Sequence, residues 1–267
     1  MVLPSYRIDG PDGAPVLLLS NSLGSTAAMW DSQVPALSSR FRVLRYDLRG
    51  HGASPLSPEP FDIGALGGDV LELLGELRLE RVHFCGLSLG GMIGLWLGAH
   101  APSRLDKLVL CNTAPKLGPA EIWNSRIEAV RQRGMAAIVT AVIERWFSSG
   151  FRDRNPAEVE RARQMLLAND ADGYAAACAA IRDMDQRADV LEIRVPTLIV
   201  AGRYDAATPP SESRWLAERI FGARLLELDA AHLSNVEAGP RFTASLLDFL
   251  TTEESPEWTN RNASAKA

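Results

Sequence analysis

The feature that most constrains the fold is the sequence Gly-Leu-Ser-Leu-Gly at residues 86–90, which lies between a predicted strand and a predicted helix. The apolar run at residues 81–85 predicts a buried strand. Residues 91–100 combine small and apolar side chains, which is typical of a packed helix. A strand that turns into a helix at G-x-S-x-G is the context of a nucleophile elbow. The turn strains the serine backbone and leaves room only for small residues two positions away. The pattern predicts Ser88 as a nucleophile, provided that a base, an acid and oxyanion donors lie elsewhere in the chain.

Short apolar runs alternate with helical patterns along much of the chain. The runs that predict strands are apolar on both faces and lie at residues 16–19, 42–46, 82–85, 107–111, 197–201 and 224–228. Helical spacing of apolar residues occurs at residues 63–77, 211–221 and 240–250, in addition to the helix after Ser88. Strands of this kind, separated by helices, indicate a mostly parallel sheet that is covered on both sides. We therefore predict an α/β fold with helices flanking a central sheet.

The alternation stops between residues 115 and 190, where only helical patterns occur. They lie at residues 121–133, 135–147, 156–168 and 172–182. Because this insertion leaves from the end of a strand, it predicts a helical cap over the carboxyl ends of the strands, where such sheets bind ligands. The alternative is a helical elaboration that only buries one edge. The predicted core is thus residues 1–114 and 191–251, the cap is residues 115–190, and the polar residues 252–267 are predicted to form a disordered tail.

Composition excludes several classes of protein. The chain has 267 residues and a net charge of −5, so it fits one large domain, or a domain with an insertion, and offers no overall basic surface to nucleic acid. It contains no apolar run of about eighteen residues that would span a membrane and no visible secretion signal, which predicts a cytoplasmic location. Its three cysteines show neither disulfide nor zinc spacing, so no metal is predicted. Whether the chain forms a homo-oligomer is left open, because no exposed strand or heptad pattern stands out.

A serine nucleophile needs a base, and the base needs an orienting acid. Among the four histidines, His232 follows the last predicted strand and so lies at the same end of the sheet as Ser88. We predict His232 as the general base. Asp205 follows an earlier strand and precedes His232, the chain order expected for an acid that fixes the imidazole tautomer. A turn or helix-capping role is the alternative for Asp205, and Glu227 and Asp229 are weaker rivals.

The other three histidines are expected to be structural. His83 lies inside a predicted strand and His100 ends the helix after Ser88. Asp47 and His51 lie in a glycine-dense turn after an early strand and resemble a second acid–base pair. We expect that turn to shape the floor of the site instead.

An oxyanion hole needs two N–H donors aimed at the developing negative charge. The amide of Leu89 is one candidate, because it follows the nucleophile at a helix N-terminus. The loop after the first buried strand supplies the other candidate, the amide of Leu23, and the hydroxyl of Ser22 adds a polar group to the pocket. The alternative is a simple polar turn leading to Trp30.

Together these segments resemble the α/β-hydrolase superfamily over nearly the whole chain. One departure is Asn21-Ser22, where most relatives have His-Gly. Three runs resemble more specifically the 3-oxoadipate enol-lactonases of aromatic catabolism: Leu-Ser-Asn-Ser-Leu-Gly at 19–24, Leu-Cys-Asn-Thr-Ala at 110–114 and Gly-Pro-Ala-Glu-Ile-Trp at 118–123. The resemblance implies hydrolysis of 3-oxoadipate enol-lactone to 3-oxoadipate, in the β-ketoadipate pathway, through a serine acyl-enzyme and without a metal or organic cofactor.

A small carboxylated lactone would require a cation or another donor in the pocket. The predicted cap is rich in arginine, and Trp123 and Arg126 share one face of a predicted helix. We predict that Trp123 and Trp146 line the pocket and that Arg126 or Arg133 meets the substrate carboxylate. A solvated helix face is the alternative for each arginine.

The predicted triad alone does not choose among related activities. A serine at the elbow excludes a haloalkane dehalogenase, which has a carboxylate there. A carboxylesterase, a C–C bond hydrolase and a cofactor-free haloperoxidase share the triad and stay open. A non-catalytic ligand receptor on the same scaffold is the alternative from another class of protein.

Overall fold

A seven-stranded sheet forms the centre of the computed structural model, which describes residues 3–57 and 59–252. Its order is β1-β3-β2-β4-β5-β6-β7, with β1 antiparallel to β3 and every other pair parallel. The predicted α/β fold with a mostly parallel sheet is confirmed. The strands are β1 Tyr6–Asp9, β2 Val16–Ser20, β3 Arg42–Tyr46, β4 Val82–Leu87, β5 Leu105–Cys111, β6 Thr197–Gly202 and β7 Arg224–Leu228.

Helices cover both faces of the sheet, as expected for parallel strands with buried faces. Short 3₁₀ helices lie at Ala27–Trp30, Pro102–Arg104, Met135–Ala137 and Asp189–Glu192. The α-helices are α1 Val34–Leu37, α2 Ile63–Glu76, α3 Leu89–His100, α4 Ala120–Arg133, α5 Val139–Trp146, α6 Ser149–Arg154, α7 Pro156–Leu167, α8 Ala171–Asp183, α9 Pro210–Arg219, α10 Ser234–Glu237 and α11 Gly239–Thr251.

Helices α4–α8 lie between β5 and β6 in the chain, and we call them the cap helices. Within this group α4 packs on α8, and α5 packs on α7. The cap helices meet the loops that follow β2 and β3. Asn169 Nδ2 donates to Gly24 O over 2.8 Å, and Gly173 packs directly against the backbone of Gly50. The cap helices therefore lie over the carboxyl ends of the strands, the end that also carries Ser88.

Two further findings concern the described part of the chain only. None of its helices has the length and apolar character needed to cross a membrane. It also contains no group of three or more His, Cys, Asp and Glu side chains that could hold a metal ion. The predicted disordered tail falls, from residue 253 onward, outside the described residues.

Candidate active site

Ser88 lies at the junction of β4 and α3 in a strained backbone conformation. Its φ is 58° and its ψ is −113°, a region that costs a non-glycine residue about 1–3 kcal/mol. Such a conformation persists only where the surroundings hold it. Ser88 N–H donates to Cys111 O over 2.8 Å, and Thr113 Oγ1 donates to Ser88 O over 2.8 Å. Strand β5 and the residues that follow it thus hold both the N–H and the carbonyl of Ser88.

The glycines on each side of Ser88 are required by close backbone approach. A Cβ on Gly86 would lie 2.1 Å from Gly90 O, and a Cβ on Gly90 would lie 2.3 Å from Ser20 O. These are contacts with backbone atoms, which cannot rotate away. The strand, turn and helix therefore have the geometry of a nucleophile elbow.

Asp205 and His232 form a buried hydrogen-bonded pair at the same end of the sheet. Asp205 Oδ2 lies 2.8 Å from His232 Nδ1 and also accepts from Thr208 Oγ1 at 2.6 Å and Asn112 Nδ2 at 2.9 Å. Its Oδ1 accepts the N–H groups of Ala207 at 2.8 Å and Thr208 at 3.0 Å. Since Nδ1 is engaged with the carboxylate, Nε2 is the imidazole nitrogen that takes no part in this pair.

The carboxylate of Asp205 is held in its charged form despite its burial. Burial alone would raise its pKa, but the charge of His232 and the hydrogen bonds from His232 and Thr208 lower the pKa below its ordinary value. The rival acids are engaged elsewhere. Asp229 pairs with Arg203 at 2.6 Å, and Glu227 pairs with Arg214 at 2.7 Å. Of the three acids considered, only Asp205 contacts His232.

Ser88 and His232 open into one cavity of about 420 Å³ between the cap helices and the sheet. It lies within the size range of small-molecule sites. Of the residues predicted for the site, seven line it: Ser22, Leu23, Ser88, Trp123, Arg126, Trp146 and His232. The other lining residues are Met92, Lys116, Leu117, Gly118, Ile122, Val142, Arg145, Tyr174, Ile181, Ala206, Ala207, Thr208, Pro209 and Glu212.

Arg133 does not reach the cavity. It is exposed in the last turn of α4 and is not among the lining residues. It lies seven residues beyond Arg126, so it shares the same side of the helix but stands about 10.5 Å further along the axis. Helix-face spacing alone therefore predicted Arg133 as well as Arg126. The cavity extends along α4 to Arg126 but not as far as Arg133.

The candidate oxyanion donors lie in two segments that are joined by a hydrogen bond. Gly90 N–H, at the beginning of α3, donates to Asn21 O over 2.9 Å. Within residues 3–57 and 59–252, neither the amide of Leu23 nor the amide of Leu89 donates a hydrogen bond to a protein group. The Asn21 side chain faces the core, where it bonds to the Tyr46 carbonyl. Ser22 faces the cavity, and the two positions that depart from His-Gly therefore have different roles.

A family model of the α/β hydrolase fold matches residues 15–238. The chain belongs to the α/β-hydrolase fold family. It is 40% identical over 246 residues to 3-oxoadipate enol-lactonase 1 of Acinetobacter baylyi. The alignment covers 92% of this chain and 92% of that relative.

Two solved α/β-hydrolase structures are also similar. The enol-lactonase from Burkholderia xenovorans LB400 is 45% identical with a TM-score of 0.91, covering 93% of this chain and 96% of that one. A hydrolase from Pseudomonas aeruginosa PA01 is 49% identical with a TM-score of 0.90, covering 92% of this chain and 94% of that one. The resemblance to this family and to enol-lactonases is thus confirmed.

This α/β hydrolase has a second arginine in its cavity that the sequence analysis missed. Arg145 lines the cavity from α5, where burial and then the charge of Arg126 lower its pKa. Arg126 itself lies over the ring of Trp123, 4.8 Å from the centroid. The signal was present in the sequence: Val142, Arg145 and Trp146 have the i, i+3, i+4 spacing of one helix face.

Asn112 supports the acid and was also missed as a site residue. It follows β5 with a φ of 46°, and its Nδ2 donates to Asp205 Oδ2 and, over 3.3 Å, to Ala231 O. Its Oδ1 accepts from Ser234 Oγ over 2.5 Å. Asn112 thereby connects the carboxylate to both ends of the loop that carries His232.

Glu237 joins that same loop to the cap helices. Its Oε2 accepts the N–H groups of Ala231 and Ser148, each over 3.1 Å, and its Oε1 accepts the hydroxyl of Ser148. Nearby, Leu233 N–H donates to Trp146 O over 3.0 Å. A segment of the cavity wall and the loop that positions His232 are therefore held by shared hydrogen bonds.

The Asp47–His51 turn has the hydrogen bonds of a structural element. Asp47 accepts the N–H groups of Ala27 at 2.8 Å and Ala53 at 3.0 Å through its two carboxylate oxygens. His51 is fully buried, and its Nδ1 lies 3.2 Å from Arg49 O. Neither residue lines the cavity, so these hydrogen bonds hold the turn itself, and the expectation that the turn shapes the floor of the site stays a prediction.

Proposed function

We propose that this hydrolase opens 3-oxoadipate enol-lactone to 3-oxoadipate through an acyl-enzyme on Ser88. The observation that carries the proposal is the cavity itself. It brings a strained serine and an Asp205-held histidine together with two arginines on the cap helices. Relatives that carry the name enol-lactonase, similar over almost their whole length, support the same substrate.

The proposed mechanism begins with attack of Ser88 Oγ on the lactone carbonyl, while His232 Nε2 takes the hydroxyl proton. The amides of Leu23 and Leu89 hold the oxyanion that forms. Collapse of the tetrahedral intermediate breaks the ring C–O bond, and the leaving enolate takes the proton from His232 as it becomes a ketone, which returns His232 to its neutral form. Water, deprotonated by His232, then attacks the acyl-enzyme and releases the dicarboxylate product and Ser88. No step calls for a metal or an organic cofactor.

Arg126 and Arg145 are suited to the substrate carboxylate. Neither forms an ion pair with an acidic side chain in the part of the chain that the structure describes, whereas Lys116 is paired with Asp185 at 2.9 Å. A carboxylate that enters the cavity would find two guanidinium groups that are not already paired with an acidic side chain of the described residues. Trp123 and Trp146 supply apolar walls beside them.

Loss of the ultraviolet absorbance of the enol-lactone tests the proposal, with p-nitrophenyl acetate as a simple ester for comparison. We expect a higher kcat/KM for the lactone. The Ser88→Ala variant should lower kcat for both substrates by on the order of 10⁴-fold or more. A preference for the acetate ester would overturn the substrate, and activity that survives Ser88→Ala would overturn the mechanism.

A further inference from the structure

The charged groups that line the cavity are separated between its walls. Arg126 on α4 and Arg145 on α5 belong to the cap helices, while Glu212 on α9 belongs to the other wall and is the sole acidic side chain in the described lining. Lys116 contributes little free charge, because it is paired with Asp185. A ligand with one carboxylate is therefore oriented with that group toward the cap helices.

The guanidinium of Arg126 is held in place before any ligand arrives. Its Cζ lies over the Trp123 ring, 4.8 Å from the centroid, and the side chain of Tyr174 lies beside it. Arg145 is close enough for the two positive charges to repel each other. An anion bound between them would relieve this repulsion. The two arginines therefore form a site that favours binding of a negatively charged group.

The other residues in the described lining do not indicate that the cavity selects a cyclic substrate. Many of the other lining side chains are apolar, among them Met92, Val142 and Ile181. In the proposed mechanism the lactone ring also opens in the first step. Ser88 then carries an unbranched acyl chain that ends in a free carboxylate, so the cavity must accept an open chain.

We propose that this enzyme also hydrolyses open-chain half-esters of short dicarboxylic acids, whose free carboxylate is held by Arg126 and Arg145. This inference rests on the proposed function, because both reactions pass through an ω-carboxyacyl group on Ser88. Ser88 Oγ adds to the ester carbonyl, and its proton passes to His232. The C–O bond to the alkoxide breaks as His232 returns that proton, which releases an alcohol. Water then cleaves the acyl-enzyme to the dicarboxylate.

The experiment compares monomethyl and dimethyl esters of succinate, glutarate and adipate by titrating the acid that is released. In the wild-type enzyme we expect a higher kcat/KM for at least one half-ester than for its neutral diester. Arg126→Gln and Arg145→Gln should each reduce that preference by about 10- to 100-fold, the worth of a charge-assisted hydrogen bond. Arg133→Gln, on the same helix but outside the cavity, is the matched control and should keep the preference.

A second measurement does not depend on ester turnover. Glutarate should inhibit hydrolysis of p-nitrophenyl acetate competitively, with an inhibition constant that rises in Arg126→Gln and Arg145→Gln but not in Arg133→Gln. The inference is overturned if diesters are the better substrates, or if the arginine variants slow both ester types equally and leave glutarate inhibition unchanged.

The enol-lactone is assayed in parallel to separate this inference from the proposed function. Lactone turnover without a half-ester preference contradicts the inference alone. A half-ester preference that depends on the arginines, in an enzyme that does not open the lactone, contradicts the proposed substrate and retains the carboxylate site.

Discussion

At the scale of single residues, the carboxylate of Asp205 has the largest number of partners in the site. Replacing it by asparagine keeps its size but puts an amide NH₂ where hydrogen bonds are accepted from His232, Thr208 and Asn112. The imidazole would lose the partner that fixes its tautomer. We expect Asp205→Asn to lower kcat by about 10⁴-fold, the size of this effect in other Ser-His-Asp triads. Asp229→Asn, which changes an exposed carboxylate, should retain kcat.

The lowered pKa of Asp205 also predicts how stability depends on pH. Because the pKa is lower in the folded protein than in the unfolded chain, the ionised carboxylate adds to the free energy of unfolding at neutral pH. That contribution is complete above the ordinary carboxyl pKa, about 3.9, and is lost as the pH falls through the lowered value. The Tm of the wild type should therefore fall more steeply than that of Asp205→Asn below about pH 4. Parallel melting curves would contradict this assignment.

Glu237 is expected to act as a positioning residue for His232. In Glu237→Gln the negative charge is lost and an NH₂ group replaces one accepting oxygen, so the charge-assisted bonds from Ala231 and Ser148 are weakened. The loop of His232 should shift, and we expect kcat to fall about tenfold with a smaller change in KM. Kinetics across pH, with the exposed Glu128→Gln as control, would check this. A change in Tm with unaltered kcat and pH profile would show a purely structural role.

The candidate triad residues could be predicted from sequence because each follows the end of a strand and their order along the chain is informative. Ser88, Asp205 and His232 all follow strands that end at one edge of the sheet. Arg145 and Glu237 could not be found in this way. Their roles depend on how helices of the insertion meet the core, and that contact joins residues 89 positions apart in the case of Ser148 and Glu237.

At the scale of elements, the β4–α3 turn should tolerate no side chain at Gly90. The Cβ of Gly90→Ala would meet the backbone of Ser20 on β2 at 2.3 Å, so strand or helix must move. We expect a loss of about 3 kcal/mol in the free energy of unfolding, measured with urea. Gly68→Ala on α2 is the control, because nothing lies within 4 Å of its new Cβ. That substitution should be neutral or stabilising by up to about 1 kcal/mol.

The elements that sequence patterns predicted are those with buried faces. Strands β2 to β7 and helices such as α2 and α11 were predicted because their buried faces produce the apolar spacing on which the prediction depends. Strand β1 was missed because it is a four-residue edge strand whose side chains are half-buried or exposed. Helix α6 was missed because its six residues are mostly polar and include Gly150.

At the scale of the whole molecule, the contact between Gly50 and Gly173 determines how closely the cap helices approach the sheet. A Cβ on Gly173 would lie 2.2 Å from Gly50 O, so Gly173→Ala should push α8 away from the core. The next residue, Tyr174, lines the cavity and would move with it. We expect a lower Tm and a kcat/KM reduced by about tenfold or more.

The control for that substitution lies on another cap helix. In Gly150→Ala the nearest atom to the new Cβ belongs to the side chain of Arg154, at 3.2 Å, and a long side chain can rotate away. This variant should keep both Tm and kcat/KM. Equal losses in the two variants would show that the cap helices are sensitive to any added methyl group.

The hydrogen bonds of Ser148 and Trp146 with the His232 loop have a consequence for exchanging parts between related enzymes. A chimaera that takes its cap helices from one parent and its last loops from another would receive only half of this set of bonds. Substrate range and turnover would then change together, even where every residue that touches the substrate is correct. We therefore expect that recombination between homologues should keep residues 146–148 and 231–237 from the same parent.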